Sequence, residues 1–273
     1  MQEVTAAGAA VRLAARGDYG ACARLFLELR VPDPVFSTEI WETMMLPSVV
    51  VAEPEGGGDV VGYALWRMYG DVAHVMHVAV APEARGHGVG RALVEAVRAE
   101  LSGVASRWYL NVKQDNAPAI RLYERVGFAV EVESTSFWMP WERLRELPLE
   151  IGVGSRPATA DEDAGVAAAL GLAEERVRFS RERPGYLCDV LVTGSGAILG
   201  FSAFDPSYNG AYPFAVARPA LARALLDALR PHARPEHDGV NIAVEDDRAL
   251  ADTFRAAGAR VNFELYRMGA ALA

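Results

Sequence analysis

The chain has 273 residues, 51% hydrophobic and 23% charged, enough apolar material for one large core or two ordinary ones. Its formal net charge is −9, with 19 acids against 14 bases in residues 1–147 and 17 against 13 in 148–273; no basic patch or tail points to nucleic acid, and the mild negative field favours a cationic substrate such as an amine. No apolar run is long enough for a membrane span, Arg12, Arg16 and Asp18 interrupt the Ala-rich start too early for a signal peptide, and Cys22 and Cys188 offer no disulfide framework, all of which fits a reducing cytoplasm.

In chain order, a short strand at Arg12-Leu13-Ala14 precedes a helix over Asp18–Glu28. Strands are predicted at Ser48–Ala52, Val60–Met68 and Val72–Val80, then a long helix Gly90–Leu101, a strand Trp108–Val112, and a helix with a hairpin-like end over 116–140. After the stretch 141–154 the plan repeats. Arg156-Pro157-Ala158 precedes a helix over Asp161–Leu170, with strands at Tyr186–Thr193, Ala197–Phe204 and Ala211–Ala217. A helix Pro219–Arg230, a strand Val240–Val244 and a closing segment 247–269 follow. Asn116, Tyr123 and Gly127 fall opposite Asp247, Phe254 and Gly258 at one constant offset, the mark of an internal duplication. Each half reads as an α/β (α+β) domain, a mixed central sheet flanked by helices, with the division at 1–145 and 146–273.

The most informative segment is 76–97, where an apolar strand ends at Val80-Ala81-Pro82 and Arg85-Gly86-His87-Gly88-Val89-Gly90 opens an amphipathic helix at Arg91. Gly86, Gly88 and Gly90 can take φ > 0 and let the backbone approach a ligand; successive amides then point into one concavity at the positive end of a helix dipole, which suits a pyrophosphate. The spacing is neither that of a dinucleotide fingerprint nor that of a Walker loop.

This strand, turn and helix resemble the acetyl-CoA-binding motif of the GNAT N-acetyltransferase superfamily. Asn111–Phe128, with Asn at a helix start, Tyr seven residues on and Gly-Phe at the helix exit, resembles that family's next motif. The likeness covers residues 11–140 well and 155–269 by plan only. It implies a splayed sheet with the pantetheine arm between the fourth and fifth strands, backbone groups near Val78 and Val80 pairing with pantetheine amides, and the amides of 85–90 holding the pyrophosphate of acetyl-CoA.

An amine attacking a thioester must be neutral, and the departing thiolate needs a proton or strong solvation. Tyr123 stands at the family's Tyr position, which is implied to protonate or hydrogen-bond that thiolate. Counting back by two from Val80 puts Val78, Met76 and His74 on one strand face and His77 on the other. The resemblance makes His74 the implied base, with an intrinsic pKa near ~6.5. Glu39 and Glu42 are reserve candidates. His87 is expected to be a solvated loop side chain whose amide is the useful part. Asn116 reads as an N-cap, with Pro118 in the first turn, and contact with the CoA arm is implied beside that.

The second half lacks the loop. Nine residues separate Ala81 from Arg91 but only five separate Ala217 from Arg223, and the three glycines are gone. Phe254 has no proton to give, and Asp247 would oppose an anionic cofactor. His232 and His237 lie in a Pro-rich loop without the ligands of a metal site, so none is expected. The expectation is a tandem GNAT protein: an active first domain transferring acetyl to a small-molecule amine in a ternary complex, and a degenerate second domain that is structural or shapes the substrate site. The rivals are a non-catalytic acyl-CoA-binding sensor or partner protein and a mycothiol-synthase-like acetyltransferase of a thiol pathway. Whether the chain is a monomer built as a pseudo-dimer or a homodimer is left open.

Overall fold

A computed structural model describes residues 4–6, 9–29 and 35–272. The chain forms two compact units, the first comprising 1–131 and 266–273, the second 132–265.

In the first unit, β1 (Val4–Ala6), β2 (Ala9–Leu13), β3 (Val49–Pro54), β4 (Gly62–Tyr69) and β5 (Val72–Val80) pair antiparallel in sequence order. β6 (Arg107–Lys113) then pairs parallel with β5, with the end of β13 (Arg260–Ala271) beside β6. One sheet face is covered by α3 (Val89–Leu101) and α4 (Ala117–Arg125). Ala92, Leu93, Val94, Val97 and Leu101 of α3 are buried against β2–β5. Gly62 permits that approach, because a Cβ there would meet the Ala79 carbonyl and Leu93 Cδ1, each at 3.0 Å. The other face carries α1 (Tyr19–Phe26), the short α2 (Thr38–Ile40) and the π-helical turn Trp41–Met45, packed on Val49, Val51, Tyr63 and Leu65.

The second unit repeats the plan with β7 (Ala129–Pro140), β8 (Val153–Pro157), α5 (Asp163–Leu170), α6 (Glu174–Glu182), β9 (Leu187–Thr193), β10 (Ile198–Asp205), β11 (Gly210–Val216), α7 (Ala222–Leu229), β12 (Gly239–Glu245) and α8 (Arg248–Ala256). The duplication extends to local hydrogen bonds. Ala81 N–H donates to the Val61 carbonyl and Ala217 N–H to the Leu199 carbonyl, both at 2.8 Å. Asn116 caps α4 through Ala119 N–H (3.2 Å), and Asp247 caps α8 through Leu250 N–H (2.9 Å). Gly127 and Gly258 end those helices at φ 98° and 84°. Arg12 pairs with Asp18, and Arg156 with Glu162, each carboxylate also accepting from a backbone amide at the helix entry, Ala15 or Thr159.

Two features differ from the sequence reading. The ends of the halves are not hairpin-like: β7 and β13 are continuous strands of 12 residues. The chain also passes between units inside these strands, so a single cut at 145/146 does not separate the compact units. Phe137 and Met139 of β7 are buried in the second unit's core, and Met268 of β13 in the first unit's. Among the described residues no helix is long and apolar enough to cross a membrane.

Candidate active site

The loop after β5 has the expected main-chain form. A 3-10 turn at Pro82–Ala84 leads into Gly86 at φ 80° and Gly88 at φ 85°, left-handed conformations that favour glycine. Ala92 N–H donates to the Gly88 carbonyl, while the amides of Gly86 to Arg91 make no backbone hydrogen bond of ordinary geometry among the described residues. Six successive donors, His87 and Val89 included, thus cluster at the positive end of a helix of 13 residues. Arg85 is not one of them: its N–H donates to the Pro82 carbonyl (3.3 Å), and its side chain reaches the Val80 carbonyl (3.0 Å) and Glu28 (2.6 Å), bracing the loop. Gly90 is helical, without positive φ. It is small for packing, since a Cβ there would meet Leu122 Cδ2 at 3.2 Å. The Arg91 guanidinium pairs with Glu95 (2.8 Å), so Arg91 contributes its amide.

β5 and β6 pair only through Val72↔Arg107 to Val75↔Leu110, although β5 runs on to Val80 and β6 to Lys113. Beyond Val75 the strands part, and the stretch containing Val78 and Val80 has no ladder on its β6 side. Their side chains stay in the core with α3, leaving main-chain groups to face the opening. Tyr123 lies on α4, 8% exposed, its ring edge-on to Phe128 (5.9 Å) and its hydroxyl without a hydrogen-bond partner among the described residues. Burial pushes its pKa up to about 12.

The histidines require a correction. The β4–β5 register slips between Leu65↔His77 and Trp66↔Val75, so Met76 is bulged out of the ladder. The bulge reverses the alternation. Ala73 and Val75 share the core face with Val78 and Val80, whereas His74 and His77 lie together on the opposite face, with Tyr63 and Arg67. His74 stacks on Tyr109 (centroids 4.4 Å, planes 7° apart), with Asn111 Nδ2 3.4 Å from its Nε2. Burial, and then the positive charge of Arg267, His77 and Arg67, lowers its pKa from 6.5 to about 4. His77 Nδ1 lies 3.1 Å from the Tyr63 hydroxyl, with the Phe26 ring 5.3 Å away. Glu39 and Glu42 are exposed and make no side-chain hydrogen bond or ion pair among the described residues.

Sequence reasoning did not find Arg67, Tyr109 or Arg267. Arg67 faces His74 because the two-residue turn at Gly70 and Asp71 pairs Tyr69 with Val72 and fixes that register, and Arg267 arrives from β13, with its guanidinium 5.8 Å from the Tyr109 ring. The second unit has no nest, and its β11–β12 ladder stops short at Ala211↔Ile242, as the β5–β6 ladder does at Val75↔Leu110. Pro219–Leu221 is a 3-10 turn, Phe254 is fully buried, and Gly210 takes the ladder place of His74. Beyond the Ala211↔Ile242 pair, the Tyr212 hydroxyl crosses from β11 to Glu245 of β12 (2.7 Å), and Arg176 pairs with the same carboxylate (2.5 Å). Among the described residues no group of three or more His, Cys, Asp or Glu could hold a metal ion.

The duplicated mixed sheet, with a glycine nest beside parting strands in its first unit, is a tandem GNAT fold. The acetyltransferase (GNAT) family matches residues 22–128, within the first unit. The [ribosomal protein bS18]-alanine N-acetyltransferase of Escherichia coli is 41% identical over 73 residues, 26% of this chain and 49% of that protein. The chain thus spans about half the length of the curated relatives it matches. Two solved structures share the fold over nearly the whole chain. A GCN5-related N-acetyltransferase from Sphaerobacter thermophilus is 19% identical with TM-score 0.66, covering 97% of this chain and 96% of that one. A tandem GNAT protein from the clavulanic acid biosynthesis pathway is 20% identical with TM-score 0.58, covering 97% and 99%.

Proposed function

We propose that the first unit is an acetyl-CoA-dependent N-acetyltransferase acting on a primary amine in a ternary complex, and that the second is a degenerate copy that supports or shapes the site. The asymmetry between the units carries this reading. Both have parting strands, but one has six unpaired amides at a helix start and a buried phenol, whereas the other has lost the glycines, spans its gap with Tyr212 and Glu245, and holds Phe254 where the phenol would be.

The nest amides of residues 86–91 bind the pyrophosphate, and main-chain groups near Val78 and Val80 hold the pantetheine arm. Asn116 caps α4 with its Oδ1, which leaves its Nδ2 to face the arm. The amine lone pair attacks the thioester carbonyl carbon, the C–S bond breaks, and the nitrogen loses one proton while the thiolate gains one, giving amide and free thiol. His74, unprotonated above about pH 4, accepts a hydrogen bond from the attacking nitrogen and hands its proton on to water. Taking a proton outright from an alkylammonium of pKa about 10 would be uphill by about 8 kcal/mol, so His74 acts on the neutral amine. Tyr123 donates to the thiolate. Burial, which pushes the phenol up to about 12, keeps it protonated at neutral pH until the thiolate forms.

Incubation with acetyl-CoA and a broad panel of amines, including peptides that begin with alanine, should release free CoA thiol in proportion to acetylated amine. CoA binding without release from any amine would leave a sensor in place of an enzyme.

A further inference from the structure

Around His74 the first unit presents a face whose chemistry is specific. Arg67 stands directly across from His74 in the β4–β5 ladder, so their Cβ atoms lie roughly 5 Å apart. Tyr109 and Asn111 follow on the same face of β6, and the Arg267 guanidinium lies over Tyr109. The charges acting on His74 come from Arg267, His77 and Arg67, with no carboxylate among them, in a chain with 36 acids against 27 bases. Other arginines near the site are paired: Arg107 with Glu131, Arg85 with Glu28, Arg91 with Glu95. Arg67 is half-buried and makes no ion pair or hydrogen bond among the described residues. A guanidinium that stands beside other cations without a counter-charge is a place for an anion to bind. The face borders the point where β5 and β6 part, so an anion on Arg67 sits beside the nitrogen that His74 would receive.

We propose that the acceptor is an amine that also carries an oxyanion, a carboxylate or a phosphate, and that Arg67 binds this group while the amine faces His74. This inference rests on the reading of the first unit as an amine acetyltransferase. It names Arg67 as the residue that sets acceptor specificity, with Arg267 supplying further positive potential. A zwitterionic acceptor also reconciles the local cations with the negative charge of the whole chain.

The test is steady-state CoA release by the full chain with paired acceptors of equal length: aminoalkyl carboxylates against their amides, and aminoalkyl phosphates against their alcohols. One pair or both should show kcat/KM about ten- to a hundredfold higher for the charged member, and the pair with the larger ratio identifies the oxyanion. Arg67→Met should erase the ratio by raising KM for the charged member, Arg67→Lys should restore part of it, and the acetyl-CoA Kd of both variants should stay within twofold of the parent. Equal kcat/KM within both pairs, or a ratio that survives Arg67→Met, overturns the oxyanion assignment and leaves the enzyme reading intact. Release from no amine at all defeats the enzyme reading itself. Should Arg67→Met fail to bind acetyl-CoA through misfolding, the paired ratios of the parent decide alone.

Discussion

Tyr123 and His74 each hold one protonation state across the working range, for the same reason: burial penalises the charged form. With the phenol pushed up to about 12, its proton is retained throughout neutral and mildly alkaline pH, so kcat should show no alkaline decline below about pH 10 from this group. Tyr123→Phe should lower kcat about a hundredfold with acetyl-CoA affinity unchanged; an unaltered kcat would remove the phenol from the chemistry. His74 makes a prediction about stability. Its pKa is about 4 when folded and 6.5 in the reference state, so between those values the unfolded chain binds a proton that the folded chain refuses. Stability therefore falls as pH drops from 6.5 to 4, by at most about 3 kcal/mol before solvent screening. Urea midpoints at pH 7 and pH 4.5 should differ less in His74→Gln than in the parent, and an identical difference would mean that His74 is not buried as described. Both residues could be singled out in the sequence because they lie on local motifs. Their facing was not: counting by twos assumes an unbroken pleat, and the extra residue at Met76 moves His74 to the side opposite Val78.

Among the elements, the turn from β5 into α3 divides its three glycines between two tasks. Gly86 and Gly88 supply left-handed backbone, whereas Gly90 clears space for Leu122. Nothing lies within 4 Å of a Cβ at Gly86, so Gly86→Ala meets only the backbone cost of about 1–2 kcal/mol, which would show as a loose nest more than as a clash. Its acetyl-CoA affinity should fall severalfold with the fold retained. The glycine spacing announced the nest but could not tell these roles apart, because one of them depends on a neighbouring helix. The helix entries carry the repeated arginine–carboxylate device. Arg12 bridges Asp18 and Glu53, and Arg12→Met should lower stability by about 1–2 kcal/mol, discounted for exposure of the guanidinium. An unchanged denaturation midpoint would make the bridge decorative.

Across the whole molecule, the two halves legible as a repeat in sequence are not the two compact bodies, because β7 and β13 each run from one body into the other. No local pattern announces this: Met268 looks like an ordinary strand residue of the second half, yet it is fully buried among Trp108, Leu110 and their neighbours in the first. Met268→Ala should cost about 2–5 kcal/mol, and acetyl-CoA should recover part of the lost thermal stability, since it binds the body that was weakened. A chain ending at Arg145 lacks that strand and should melt well below the full chain. The second copy keeps the structural half of each matched position. Asp247 caps as Asn116 does, Gly258 ends its helix as Gly127 does, and Phe254 packs in the core where the first copy has Tyr123.

The central claim is that acetyl-CoA is held by the amides after Arg85 in one unit only. Isothermal titration of the full chain with acetyl-CoA, beside Gly88→Val, tests it most directly. The parent should bind about one equivalent, and the valine, strained at φ 85° and intruding on the nest, should weaken binding at least about tenfold without unfolding the chain. Two equivalents per chain, or an unaffected Kd in a folded Gly88→Val protein, would contradict the account.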